Sequence, residues 1–163
     1  MFNSLPIKRS CRGTSVIVKA NLSTIEGPGK LATAAGIFGT IDFLINNARR
    51  SITCDLVGTP DDKPYKVWAD TVSLNCWGAF LLTGAVLPML SGVGSRIVNI
   101  GSSTSRDPDA DMPIYEGTKG MIESFTRCWA RDFARKYGCT VNTVAPGPAA
   151  TEILLAESLL QQL

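Results

Sequence analysis

Four short runs rich in β-branched residues punctuate this chain: TSVIVKA (14–20), TIDFLINNA (40–48), RIVNIG (96–101) and CTVNTVA (139–145). Between them lie stretches with helical spacing. Ser23 or Thr24 can cap a helix running to about Phe38, with Gly39 as its stop. A longer helix is expected from about Tyr65 to Leu90, because Val67, Trp68, Thr71, Val72, Leu74, Ala79, Leu82, Ala85, Val86 and Met89 recur at helical intervals. Pro88 should bend or end it. Asp111 and Pro113 open a third helix, and Gly138 closes it. TEILLAESLLQQL reads as a final amphipathic helix after the PGP break. Strands alternating with helices predict an α/β fold, a parallel sheet covered on both faces.

Composition narrows the chemistry. The chain has 163 residues, 45% of them hydrophobic, which is enough for one domain with a core. We expect a single domain over 14–163, preceded by an untidy extension over 1–13. A net charge of +2, with no basic run carrying interleaved aromatics, argues against a nucleic-acid partner. No apolar run reaches the roughly 20 residues that span a bilayer, so no membrane partner is expected. Five cysteines at 11, 54, 76, 128 and 139 form no CxxC pair and read as reduced packing residues. Without any histidine, no metal site is expected and Ser-His chemistry is excluded. Lys8, Arg9 and Arg12 hint at an organelle transit peptide, but the stretch is short; the expected location is the cytoplasm.

The segment IYEGTKG (114–120) supplies an acid–base without histidine. Tyr115 and Lys119, four apart, share one helix face near the start of a helix. A neighbouring ammonium favours a phenolate, so such a pair can give and take a proton near neutral pH. Gly117 and Gly120 would let a ligand or another backbone approach that turn. Ser102, in RIVNIGSS, falls at the carboxyl end of the preceding strand, where ligands of open α/β sheets collect. A hydroxyl there can hydrogen-bond a carbonyl as charge builds on it. Each match also has a plain structural reading: a Tyr-x-x-x-Lys pair arises by chance, and PGP can be only a turn.

Taken together, LINNA, SLNCWGAF, RIVNIGSS, YEGTK and VNTVAPGPAAT resemble, in order and spacing, the short-chain dehydrogenase/reductases over roughly residues 14–155. The second half is similar to fungal ketoreductases of the 3-oxoacyl-carrier-protein or polyhydroxynaphthalene reductase type. The resemblance implies a Rossmann-like doubly wound sheet and an NAD(P)-dependent oxidoreductase acting on a small ketone or secondary alcohol. It implies Tyr115 as the acid–base, with Lys119 favouring its phenolate and holding the nicotinamide ribose. Ser102 would polarise the carbonyl, and the backbone of Asn75 would hold a proton-relaying water. Asn46, Asn47 and Ala48 would flank the adenosine part of the cofactor. Pro146, Gly147 and Thr151 would flank its nicotinamide. The cofactor implied is NADPH, with NADH as the alternative. The helices near 65–90 and 113–137 would pair with their copies in a homo-oligomer.

The chain departs from that pattern. No strand, glycine-rich turn and helix stands ahead of residue 14, and a glycine-rich turn is what cradles a pyrophosphate on backbone N–H groups. EGPGKLAT has Ala32 at the third glycine position, and SGVGSR precedes a strand instead of following one. By the resemblance, TSVIVKANL matches the family's third strand, so the sheet would lack the family's first two strands and its last. The acidic residue usual after that third strand is Asn21 here, and Arg49 replaces the glycine of NNAG. We therefore expect weakened cofactor binding and impaired activity. Residues 14–20 are expected to pair with 41–46, giving four parallel strands ordered 14–20, 41–46, 96–101, 139–145. Two alternatives fit the same residues: a non-catalytic relic that acts as a dimerising module, or a fragment from a misassigned gene start.

Overall fold

The computed structural model describes residues 14–54, 60, 62–108 and 111–147. The expected extension over 1–13, the final helix and Thr151 lie outside the described residues.

Three parallel strands form the sheet: β1 (Phe43–Asn46), β2 (Arg96–Ile100) and β3 (Thr140–Val144), in that order. Helix α1 (Glu26–Ala35) precedes β1 and α4 (Pro113–Tyr137) links β2 to β3. Between β1 and β2 runs one helical rod. It begins as α2 (Asp62–Val72), widens into a π-helical turn at Ser73–Gly78, continues as α3 (Ala79–Val86) and tightens to 3₁₀ at Leu87–Met89 around Pro88. Helical spacing alone foresees the rod but not the π turn. The expected stops hold: Gly39 (φ 80°) and Gly138 (φ 66°) follow their helices in the positive-φ region where a Cβ is penalised. Thr24 accepts the Gly27 N–H through its hydroxyl, which makes it the helix-start residue the pattern foresees.

Register sorts the strand residues into layers. Leu44, Ile97 and Val141 are aligned neighbours, and all three are buried. They form the core with Ala32, Leu82, Val86, Trp129, Phe133 and Cys139. The next row on the same face is polar: Asn46, Asn99 and Thr143. Asn46 Nδ2 donates to Asn99 Oδ1 at 2.8 Å and Asn99 Nδ2 donates to Thr126 Oγ1 at 2.8 Å. Thr126 and Thr143 share a 2.7 Å hydroxyl contact. The apolar row thus glues the helices on, and the polar row ties the carboxyl ends of all three strands to α4. A buried polar row is tolerated because its members hydrogen-bond one another, the Asn46 Oδ1 excepted.

Two expectations are corrected here. Residues 14–20 form no strand, so the sheet has three strands and not four, and β1 is its edge among the described residues. β-branched composition makes a strand only where a backbone partner is within reach. The chain just beyond this run packs on the helical rod instead. The Leu22 carbonyl seats against Gly78, so closely that a Cβ on Gly78 would lie 2.5 Å from it. Val16 and Ile17 remain 41% and 38% exposed. Second, the described helices cover one face of the sheet. Phe43 and Ile45 alternate with buried Leu44 and are 65% and 59% exposed on the other face. The rod Asp62–Met89 is also long and apolar enough, by length and composition, to cross a membrane, unlike any unbroken apolar run in the sequence. It buries Thr71, Asn75, Cys76 and Thr83 against the rest of the fold, as a core helix does.

The Leu22–Gly78 seat gives a test. Gly78→Ala should cost about 1–3 kcal/mol, as overpacking against backbone does, read as a lowered urea midpoint. An unchanged midpoint would show that the 14–22 segment contributes no packing there.

Candidate active site

The site is built where β2 ends and α4 begins. Lys119 lies one turn after Tyr115, with its amine 5.5 Å from the tyrosine ring centre. Lys119 Nζ donates to the Ile100 carbonyl at 2.7 Å, which pins the first turns of α4 to the last residue of β2. Two residues later, Ser102 caps a 3₁₀ turn, Ser103–Ser105, by accepting from the Thr104 N–H, and its hydroxyl meets that of Thr104 at 2.8 Å. The turn is fastened to α4: Ser105 Oγ donates to Glu123 Oε1 at 2.6 Å and Arg106 donates to Glu123 Oε2 at 3.1 Å. The Ser105 hydrogen bond, foremost, holds the Glu123 carboxyl below its usual range despite burial. Gly101 N donates to the Val144 carbonyl and Ser103 N to the Pro146 carbonyl, so Pro146 and Gly147 lie alongside the Ser102 turn.

Asn75 sits in the π turn, a local widening that often marks functional sites. Its Oδ1 accepts the Arg50 N–H at 2.7 Å and its Nδ2 donates to the Arg50 carbonyl at 2.9 Å. Nδ2 also donates to Thr118 Oγ1, which itself donates to the Tyr115 carbonyl at 2.6 Å. Asn75 therefore clamps the loop after β1 to the first turn of α4. The sequence assigns its backbone a water; the structure shows its side chain as a brace.

A cleft of about 120 Å³ lies beside these groups, lined by Asn46, Asn47, Ala48, Asn75 and Lys119 among apolar walls. Five of the predicted site residues thus share one cavity. Ser102, Tyr115, Pro146 and Gly147 do not line it. They stand around the β2 and β3 ends nearby. A wider hollow of about 440 Å³ lies between the Ser103–Ser105 turn and α4, lined by Thr104, Ser105, Pro108, Pro113, Glu116, Gly117 and Gly120. A Cβ built on Gly117 or Gly120 meets nothing within 4 Å, so that turn is open to approach as the sequence suggests.

Burial dominates the electrostatics. Lys119 is only 3% exposed, and desolvation first, then the Arg49 charge, brings its amine down from about 10.5 to about 8. Burial pushes the Cys76 thiol up to about 11, so it stays protonated beside that amine. Sequence reasoning missed Cys76, Thr118 and Asn99. For Asn99 and Thr143 a signal existed: both are polar residues on the inward period of buried strands.

A short chain dehydrogenase model matches residues 8–159. The chain belongs to the short-chain dehydrogenase family. It is 33% identical over 144 residues to short-chain dehydrogenase/reductase FrzI of Cladobotryum sp., covering 88% of this chain and 54% of that protein. It is 34% identical over 154 residues to the 3-oxoacyl-[acyl-carrier-protein] reductase of Synechocystis sp., covering 91% and 60%. Among solved structures, the Pseudomonas aeruginosa RhlG/NADP active-site complex matches with a TM-score of 0.76 at 26% identity, covering 86% of this chain and 56% of that one. A Brucella melitensis short-chain dehydrogenase/reductase matches at 0.73 and 30% identity, covering 88% and 57%. The chain therefore spans a little over half the length of these relatives, and its sheet is a partial Rossmann-type sheet.

The displaced amine is directly measurable. ¹³C NMR of the Lys119 side chain should show half-titration near pH 8, well below the roughly 10.4 of a free lysine. Arg49→Gln should move that midpoint upward. A Lys119 midpoint above 10 would contradict the burial described.

Proposed function

We propose that the chain is an NAD(P)-dependent oxidoreductase centre that interconverts a small ketone and a secondary alcohol, with Tyr115 as its acid–base. The observation that carries this is Lys119, held between the Tyr115 ring and the Ile100 carbonyl while lining the cleft. One of its three N–H bonds goes to Ile100, which leaves donors for a ribose hydroxyl pair. The buried Asn46 Oδ1, without a hydrogen-bond partner, adds an acceptor at the same cleft. The ribose end of a nicotinamide cofactor thus fits the residues present. A cradle for its pyrophosphate is not found among the described residues. We therefore propose that these 163 residues by themselves bind the dinucleotide weakly and turn over slowly, since charged hydrogen bonds contribute about 1.5–3 kcal/mol each.

In this reading a bound nicotinamide supplies the hydride. The Tyr115 hydroxyl gives its proton to the carbonyl oxygen, and the Lys119 ammonium beside it stabilises the phenolate that remains. Ser102 turns its hydroxyl from Thr104 toward the carbonyl and donates to it. Asn75 and Thr118 tie the Tyr115 turn to the loop after β1. Pro146 and Gly147 complete the nicotinamide side, and NADPH is the cofactor we favour. RhlG is described with NADP, which supports that choice. Trp77 and Phe80, half-exposed and stacked on the outer side of the rod, support association with a second copy through α2–α3 and α4. Four free cysteines among the described residues support a reducing compartment, the cytoplasm.

Two measurements test the reading. NADPH titrated into the purified chain should quench or shift its tryptophan fluorescence saturably, with a dissociation constant in the range of roughly 0.1–1 mM. No saturation would favour a non-catalytic module. Tyr115→Phe should lose at least ~100-fold in ketone reduction while keeping its circular dichroism spectrum. Equal turnover by that variant would remove Tyr115 from its role.

A further inference from the structure

Three residues of α4 stand four apart, at 115, 119 and 123, and so share one slowly turning face. The first two are the Tyr115–Lys119 pair, and Lys119 grips the last carbonyl of β2. The third, Glu123, grips the turn that follows β2. Both of its oxygens are engaged: Oε1 accepts from Ser105 Oγ at 2.6 Å and Oε2 from Arg106 at 3.1 Å. The Glu123 side chain is 10% exposed and that of Arg106 76%, so the arginine closes over a largely buried acid. Ser105 Oγ also lies 2.7 Å from the Ser102 carbonyl oxygen. A hydroxyl has one hydrogen, and these two oxygens compete for it. The Glu123 carboxyl, kept below its usual range foremost by Ser105, is ionised at neutral pH and is the stronger acceptor. Ser105 is thus drawn to α4, while its N–H closes the 3₁₀ turn on the Ser102 carbonyl. From the other side the Pro146 carbonyl holds the Ser103 N–H. The Ser102 hydroxyl itself bonds locally, to Thr104.

We propose that Glu123 is a positioning residue: through Ser105 it sets the turn that presents the Ser102 hydroxyl, and refers it to the helix that carries Tyr115. That role presupposes the oxidoreductase reading, with Ser102 as the hydroxyl that donates to the carbonyl. Glu123 touches no reacting atom and moves no proton; it supplies a fixed point. The need for one is geometric. Ser102 stands beyond the end of β2, where the sheet ladder no longer fixes its position. A group misplaced by about 1 Å at a reacting centre can cost roughly a hundredfold in rate. α4 makes its fixings side by side: Thr118 to the Asn75 clamp, Lys119 to Ile100 and Glu123 to Ser105. The loop after β1, the end of β2 and the serine turn are all held by one helix.

The first arm of the test needs no turnover. In ¹H–¹⁵N NMR of the purified chain, Glu123→Ala should shift the amides of residues 102–106 and speed their exchange at least ~3-fold. Lys119 should keep its titration midpoint near 8 in that variant, since the rest of α4 stays in place. Glu123→Gln, which keeps an acceptor for Ser105, should restore most of the unmutated chain's shifts. The second arm is ketone reduction. Glu123→Ala should lower kcat at least ~10-fold and leave the NADPH dissociation constant within ~2-fold. In a Ser102→Ala background the same change should cost less than ~2-fold, because a residue that acts through Ser102 then has nothing left to position. Unmoved 102–106 amides, full additivity with Ser102→Ala, or a matching loss of NADPH affinity would each overturn the proposal. The two ways of failing differ. An unmutated chain that reduces no ketone removes the oxidoreductase reading and this role with it. An active chain with unmoved amides removes the role of Glu123 alone.

Discussion

The arrangement around the site depends on one buried contact, the Lys119 amine on the Ile100 carbonyl. A strand's last carbonyl normally faces solvent or a loop. Here it is taken by a side chain from the following helix, 19 residues later in the chain. That contact fixes the height of α4 against the strand ends, and with it the Tyr115 ring. It also takes the amine out of water, at a cost. Burying a charge is unfavourable unless hydrogen bonds compensate, and the lowered proton affinity of Lys119 is the visible sign of that cost. An amine that titrates near 8 holds its charge at neutral pH and gives it up within reach of it.

The layers beneath explain why the contact forms where it does. The apolar row Leu44, Ile97, Val141 binds the helices, and one period along the strands the polar row Asn46, Asn99, Thr143 takes over. Because side chains alternate with a period of two, one register sets both rows. Thr126 continues the polar row into α4, so sheet and helix share one hydrogen-bond chain at the end where the cleft opens. The opposite face of the sheet, with Phe43 and Ile45 exposed, has no such cover among the described residues. An uncovered apolar face beside an unpaired edge is a surface that favours association.

Local chemistry was legible in the sequence where it is decided locally. Pro113 and Gly138 bound α4, Gly39 ends its helix, and Tyr115 and Lys119 share a face because four residues make a turn. The strands 43–46, 96–100 and 140–144 fall inside the runs that composition marks. What escaped depends on distant partners. Residues 14–20 look like a strand but pair with none, and Leu22 beyond them seats on Gly78. The π turn at SLNCWG has ordinary helical spacing, and only its clamp on Arg50 and Thr118 distinguishes it.

Hydrogen exchange in Lys119→Met tests the anchor most directly. Losing a charged hydrogen bond of about 1.5–3 kcal/mol should speed amide exchange across residues 113–120 by roughly tenfold or more. Residues 129–137, packed through Trp129 and Phe133, should keep their protection. Unchanged exchange over 113–120 would mean that the amine does not hold α4 to the strand end, and that Tyr115 owes its position to something else.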